Sequence, residues 1–302
     1  VPVFIMSGWQ DGYKNPVDHV LRGLSALGKP VTAMLGPYGH RYPFDGYPGP
    51  RVDWLRYVTT HWWDRWLKGA RPDPAAQWPE FTVWMGQSRE PDPSPDYTDE
   101  GRWVAEDHEW MGRSKPETYY LGPTLAPTPP PPGVHDSRAL DLSAVGAPLN
   151  IGTALIETSS FGSAANPDLP RDQTADDKQA ITFDSAPLST DLECFGYPTV
   201  RLNVEADKPI TALVVRLAEI SPTTGASHLV SYTFFNLVYR DGDQADPKPV
   251  PPGVFGVEIP LNIIGHVFKR GWKLRVAISP FSFPGMWQVP EIPTVKIHTG
   301  PV

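Results

Sequence analysis

A single cysteine, Cys194, stands among the 302 residues. That excludes an internal disulfide framework and a multi-cysteine zinc site. Long apolar runs are missing too: the longest, Val3–Met6 and Ala212–Val215, are four residues each. A membrane-spanning helix needs roughly 20, so no membrane span is expected. Basic charge is also short. Lys and Arg number 26 against 34 Asp and Glu, a net charge of −8, so the footprint that phosphate backbones demand is lacking and no nucleic-acid partner is expected. Charged residues make up 20% and hydrophobic ones 40%, a globular composition. The numbering opens on Val1 and runs straight into an apolar strand, which reads as a chain cut from something larger. The lack of a leader therefore says nothing about export; the compartment stays open, with the cytoplasm favoured.

Proline, by contrast, is abundant, at 37 of 302 residues, where about 5% is usual. Proline ends helices and is tolerated in turns and at strand edges, so the chain is expected to be mainly β, with many short strands. Residues 1–75 are the exception. Val3–Met6 reads as a strand buried on both faces. A helix is predicted from Asn15 as cap and Pro16 as first residue. Val17, Val20, Leu21, Leu24 and Leu27 fall on one face, and Gly28 stops it. Val31–Leu35 is a second strand, and Val52, Leu55, Val58, Trp62 and Trp66 mark a second helix ending at Gly69. A two-stranded parallel sheet cannot cover its own faces, so this segment is expected to need more sheet than the chain itself supplies.

From residue 76 the pattern changes. Phe81–Met85 and Tyr119–Leu121 are short strand candidates, and the prolines at 127 and 129–132 mark extended loops. Val200, Leu202 and Val204, then Leu213, Val215 and Leu217, then Leu274, Val276 and Ile278 alternate with other residues. Period-two alternation is the signature of half-buried antiparallel strands. His228–Tyr239 reads as one long aromatic strand. Residues 76–302 are therefore expected to form a jelly-roll β-sandwich.

The chemistry concentrates in two loops. Asp11 follows the first strand and His40 the second, and loops after parallel strands open on one sheet edge, where active sites lie. Asp followed by His is the back half of the order Ser, Asp, His found in α/β-hydrolases. The imidazole takes the serine proton, and the carboxylate fixes its tautomer. Asp18 is the competing acid, but it falls inside the predicted helix. Tyr13 and Phe161 are candidates to line an acyl pocket, against a plain packing role. Trp62, Trp63 and Trp66 read as packing. Residues 241–246, rich in Asp, lack calcium-ligand spacing. His19, His61, His108 and His266 lack metal-ligand spacing, so neither metal nor cofactor is expected.

The segments Gly8-Trp9-Gln10-Asp11-Gly12-Tyr13 and Gly36-Pro37-Tyr38-Gly39-His40 resemble the acid and base motifs of the cocaine-esterase and X-Pro dipeptidyl-peptidase group of α/β-hydrolases. Further along, residues 167–173, 182–188, 196–200 and 268–276 resemble that group's C-terminal jelly-roll domain. The resemblance covers nearly the whole chain in order. It implies the last two strand–helix units of an α/β-hydrolase domain followed by the sandwich. It also implies a serine hydrolase acting on small ester, amide or N-terminal peptide substrates. The group's nucleophile sits in a Gly-x-Ser-x-x-Gly elbow upstream of the acid, and no such elbow is expected anywhere in this sequence. Gly86-Gln87-Ser88 and Gly162-Ser163 lack the glycines and follow His40. The nucleophile is expected in an N-terminal hydrolase portion, on the same or a separate chain, and this chain alone is expected to be inactive. A homo-oligomer is compatible with the sequence. The rival expectation is a non-catalytic jelly-roll module binding carbohydrate or protein.

Overall fold

Two short parallel strands open the fold, β1 (Val3–Gly8) and β2 (Val31–Gly36), paired in register from Val3 with Val31 to Gly8 with Gly36. The computed structural model describes residues 1–45, 49–71, 78–92, 99–131, 137–141, 172–242, 245–280, 282, 286 and 289–299. Helix α1 (Lys14–Ala26) crosses between β1 and β2 and packs on both. Val17 and Leu21 go under it against Val31, Ala33 and Leu35, each contributing roughly 1.5–3 kcal/mol by leaving water. Gly28, at φ +63°, ends the helix as expected, its N–H returning to the Ser25 carbonyl. The start differs from expectation. Helix α1 begins at Lys14 and has no side-chain cap. Asn15 instead spends its amide on Asn262 and on the Ile263 N–H, far along the chain.

The opposite face of β1 is covered by aromatic rings. Phe4 meets Trp54, Tyr57, Trp62 and Trp78 at about 6 Å. Trp54, Tyr57 and Trp62 come from one helical stretch made of α2 (Trp54–Tyr57), a π turn (Val58–Trp62) and α3 (Trp63–Lys68). Thr59 and Thr60 bond back to the Leu55 and Arg56 carbonyls at the turn, a contact that bends helices. Gly69, at φ +69°, ends the stretch.

The sheet that β1 and β2 need comes not from outside the chain, as expected, but from beyond residue 75, because later strands return to pair beside β2. The strands are β3 (Phe81–Gln87), β4 (Gly101–Glu106), β7 (Leu192–Gly196) and β12 (Ile264–Phe268). The path runs β1-β2-β3-β12-β7, with β4 on β3. Strand β3 pairs with β2 through Phe81–Val83 and with β12 through Gly86–Gln87, while β4 runs antiparallel along it. The short helix α4 (Trp110–Arg113) puts Trp110 against Phe195 beside this sheet. Tyr119–Leu121 is no strand; Tyr120 makes a single bridge to Ala126.

Among the described residues the remaining eight strands form two antiparallel sheets. They are β5 (Ser137–Asp141), β6 (Ile181–Asp184), β8 (Thr199–Ala206), β9 (Ala212–Ile220), β10 (Ser227–Asn236), β11 (Phe255–Pro260), β13 (Lys273–Ser279) and β14 (Thr294–His298). Their orders are β10-β9-β13-β6 and β11-β8-β14-β5. Leu213, Val215, Val276 and Phe183 from the first share one core with Leu202, Val204, Ile259 and Ile297 from the second. The fold is thus mainly β. Strand β10 stops at Asn236, whose side chain accepts the Val238 N–H and opens a 3-10 turn, Leu237–Tyr239. Strand β9 is buried on both faces. Arg216, between Val215 and Leu217, is sealed under Gln173 and under Asp177 of α5 (Thr174–Asp177). Strand β12 joins the two cores: Ile264 and Phe268 enter the sandwich, and Val267 enters the α1 side.

Candidate active site

Both candidate loops leave the same edge of the β1–β2 pair, and the backbone keeps them together past the strand ends. Trp9 N–H donates to the Gly36 carbonyl at 2.9 Å, and Gln10 N–H to the Tyr38 carbonyl at 3.1 Å. This approach needs glycine: a Cβ at Gly8 would collide with the Tyr38 carbonyl, and one at Gly36 with the Tyr38 ring. Tyr38 is fully buried and donates its hydroxyl to the Pro50 carbonyl at 2.9 Å. Burial pushes its phenol pKa upward.

Asp11 and His40, 29 residues apart, meet through Oδ2 and Nδ1 at 2.9 Å. The other Asp11 oxygen accepts the Tyr13 N–H at 2.9 Å. The carboxylate is sheltered and the imidazole is open: the Asp11 side chain is 8% exposed and that of His40 43%. A carboxylate on Nδ1 fixes the tautomer and leaves Nε2 the position for proton exchange. Tyr13 is 53% exposed, with its ring 5.9 Å from that of His40. Phe161 lies outside the described residues.

Asp18, the competing acid, serves the fold. It is fully buried in α1, where its carboxylate accepts bonds from Arg22, from Trp110 Nε1 at 2.8 Å and from the Tyr197 hydroxyl at 2.8 Å. One string in the chain does carry Gly-x-Ser-x-x-Gly spacing: Gly23-Leu24-Ser25-Ala26-Leu27-Gly28. It is the C-terminal half of α1, not a strand-to-helix turn, and Ser25 Oγ donates to Glu80 at 2.9 Å. Ser88 is likewise engaged, accepting the Lys269 N–H and donating to Glu219.

Glu219 anchors a second polar cluster that sequence spacing could not reveal, because its members come from four separate segments. Its carboxylate is met by His228 Nδ1 at 2.9 Å and His266 Nε2 at 3.1 Å. Burial opposes its charge, but His266 and His228 hold its carboxyl down to about 2. Burial pushes the His228 imidazole down to about 4, against the pull of Glu219. Among the described residues no group of three or more His, Cys, Asp or Glu side chains is arranged to hold a metal ion, and no helix is long and apolar enough to cross a membrane.

The same arrangement of chain recurs in solved structures. An α-amino acid ester hydrolase superposes with a TM-score of 0.72 at 17% identity, over 99% of this chain and 53% of that one. A CocE/NonD family hydrolase from Staphylococcus aureus gives 0.67 at 14% identity, over 100% of this chain and 52% of that one. In sequence, a Mycobacterium bovis protein named "Putative serine esterase Mb1866c" is 24% identical over 98% of this chain and 48% of its own length. The chain thus spans about half the length of the curated relatives it matches. Residues 76–302 match the X-Pro dipeptidyl-peptidase C-terminal non-catalytic domain, and the chain belongs to that family.

Proposed function

We propose that the chain is the C-terminal portion of a serine hydrolase cleaving acyl esters, amides or X-Pro-type peptides, and that Asp11 and His40 are its acid and base. The observation that carries this is the 2.9 Å contact between two side chains held at neighbouring strand ends. Asp11 accepts the Nδ1 proton and stabilises the imidazolium. His40 Nε2 takes the proton of a serine hydroxyl as the oxygen bonds to the acyl carbon. The imidazolium then gives that proton to the departing alcohol or amine, and water repeats the cycle on the acyl-enzyme. The serine and the oxyanion hole belong to sequence outside these 302 residues, a reading supported by relatives twice as long. Tyr13, against the His40 ring, flanks the acyl side.

In this reading residues 1–75 are the end of the catalytic domain, and residues 76–302 are the jelly-roll domain, which also lends β3, β4, β7 and β12 to the first sheet and contributes no catalytic residue. The strand orders β5-β14-β8-β11 and β6-β13-β9-β10 support the jelly roll, since the eight described strands cross between two four-stranded sheets at every step but the β9–β10 hairpin. The test uses the full-length protein with an activated acyl ester and a proline dipeptide anilide. Asp11→Asn and His40→Ala should each cost about 10⁴ in kcat with unfolding midpoints unchanged, and the 302-residue chain alone should turn over neither substrate. Wild-type turnover in either variant overturns the assignment.

A further inference from the structure

Lys14 occupies a place where lysine is costly. It is 2% exposed, and lysine normally keeps its ammonium in water. It is also the first residue of α1, where the helix dipole disfavours a cation, and no acidic residue in the first turn compensates. Its Nζ donates to the Trp9 carbonyl at 2.8 Å and lies 5.4 Å from the centre of the Tyr232 ring. Trp9 is itself pinned, its indole N–H donating to the Trp84 carbonyl at 2.6 Å. Lys14 therefore ties the turn that carries Asp11 to β10 of the sandwich.

Lys14, Trp9, Gln10 and Tyr232 border one cavity between the α1 side and the sandwich. The charged and titratable groups facing it are few. Arg89 and Asp99 pair with each other at 3.3 Å, and His228 and His266 are both turned onto Glu219. Asp11 is the carboxylate whose charge acts on both Lys14 and Tyr232. Burial lowers the Lys14 ammonium to about 8 while Asp11 pulls it back up. Burial, then Asp11, pushes the Tyr232 phenol up to about 12.

We propose that Lys14 is a positioning residue for the Asp11–His40 pair: clamped between the Trp9 carbonyl and the Tyr232 ring, it fixes the Gly8–Asp11 turn and so the place of the carboxylate against the imidazole. This rests on the acid–base reading above. It gives the sandwich a part in the chemistry, because Tyr232 forms the far wall of the ammonium's site.

Two measurements on the full-length protein test it. The first follows the Lys14 amine by nitrogen-15 NMR, assigned with Lys14→Arg. Its midpoint should lie near 8 and fall by roughly half a unit or more in Asp11→Asn; an unmoved midpoint overturns the coupling. The second is kinetic. Lys14→Met should lower kcat roughly 10- to 100-fold with KM held. Lys14→Arg should restore most of it and remove the alkaline fall in rate near pH 8. Wild-type kcat and pH profile in Lys14→Met overturn the proposal. Failure of the acid–base reading shows separately, as activity surviving in His40→Ala whatever the Lys14 midpoint does.

Discussion

Removing the Asp18 carboxylate should unfold this protein more readily without touching its chemistry. Asp18 is 0% exposed and joins three parts of the chain: Arg22 within α1, Trp110 of α4, and Tyr197 after β7. A hydrogen bond to a charged group contributes about 1.5–3 kcal/mol. Arg22 has a side chain 36% exposed and can turn to water, so its share is under about 1 kcal/mol. Trp110 is 3% exposed and has no such escape, and burial also raises the Tyr197 phenol pKa. Counting those two at the low end, Asp18→Ala should cost about 3–4 kcal/mol. Asp18→Asn should cost less, about 2–3 kcal/mol, since the amide oxygen still accepts while only its NH2 faces a donor. Urea unfolding followed by tryptophan fluorescence measures this, with Tyr197→Phe and the double mutant closing a cycle. A loss under about 1 kcal/mol for Asp18→Ala refutes the reasoning. In the full-length protein, activity per folded molecule should survive Asp18→Asn, in contrast to Asp11→Asn.

Three further outcomes follow from the same geometry. Gly8→Ala drives a methyl into the Tyr38 carbonyl, so it should part the two loops; loss of the His40-to-Asp11 cross-peak by NMR would report this, and an intact cross-peak would contradict it. His228 is held neutral down to about 4 against an ordinary 6.5, so the unfolded chain binds its proton first. Stability should fall as pH drops from about 6.5 to 4, and His228→Asn should flatten that part of the urea-midpoint curve. Burial, then Glu117 and Glu193, pushes the Cys194 thiol up to about 11. Native protein at pH 8 should therefore react with a disulfide reagent far more slowly than unfolded protein.

Where local pattern decides structure, the residues were legible in advance. The apolar spacing of Val17, Leu21 and Leu24 with Gly28 after it specified α1, and alternation specified β8, β9 and β13. The Asp11–His40 contact could be anticipated because chain order and strand placement bring both loops to one edge. What escaped depends on long-range packing. Asn15 looks like a helix cap, but it bonds Asn262, 247 residues away. Arg216 lies between the alternating Val215 and Leu217, and its burial under α5 comes from a helix that no pattern in β9 announces. Completion of the first sheet by β3, β12 and β7 rests on strand pairings that no local signal encodes. Lys14 reads as an ordinary surface lysine until Tyr232 is seen beneath it.

Covalent trapping tests the acid–base assignment most directly. The full-length protein is treated with a fluorophosphonate, and the labelled serine is mapped by mass spectrometry in wild type and His40→Ala. One labelled serine lying outside these 302 residues, with labelling lost in His40→Ala, is the expected result. A labelled serine within Val1–Val302, or labelling indifferent to His40→Ala, would contradict the account.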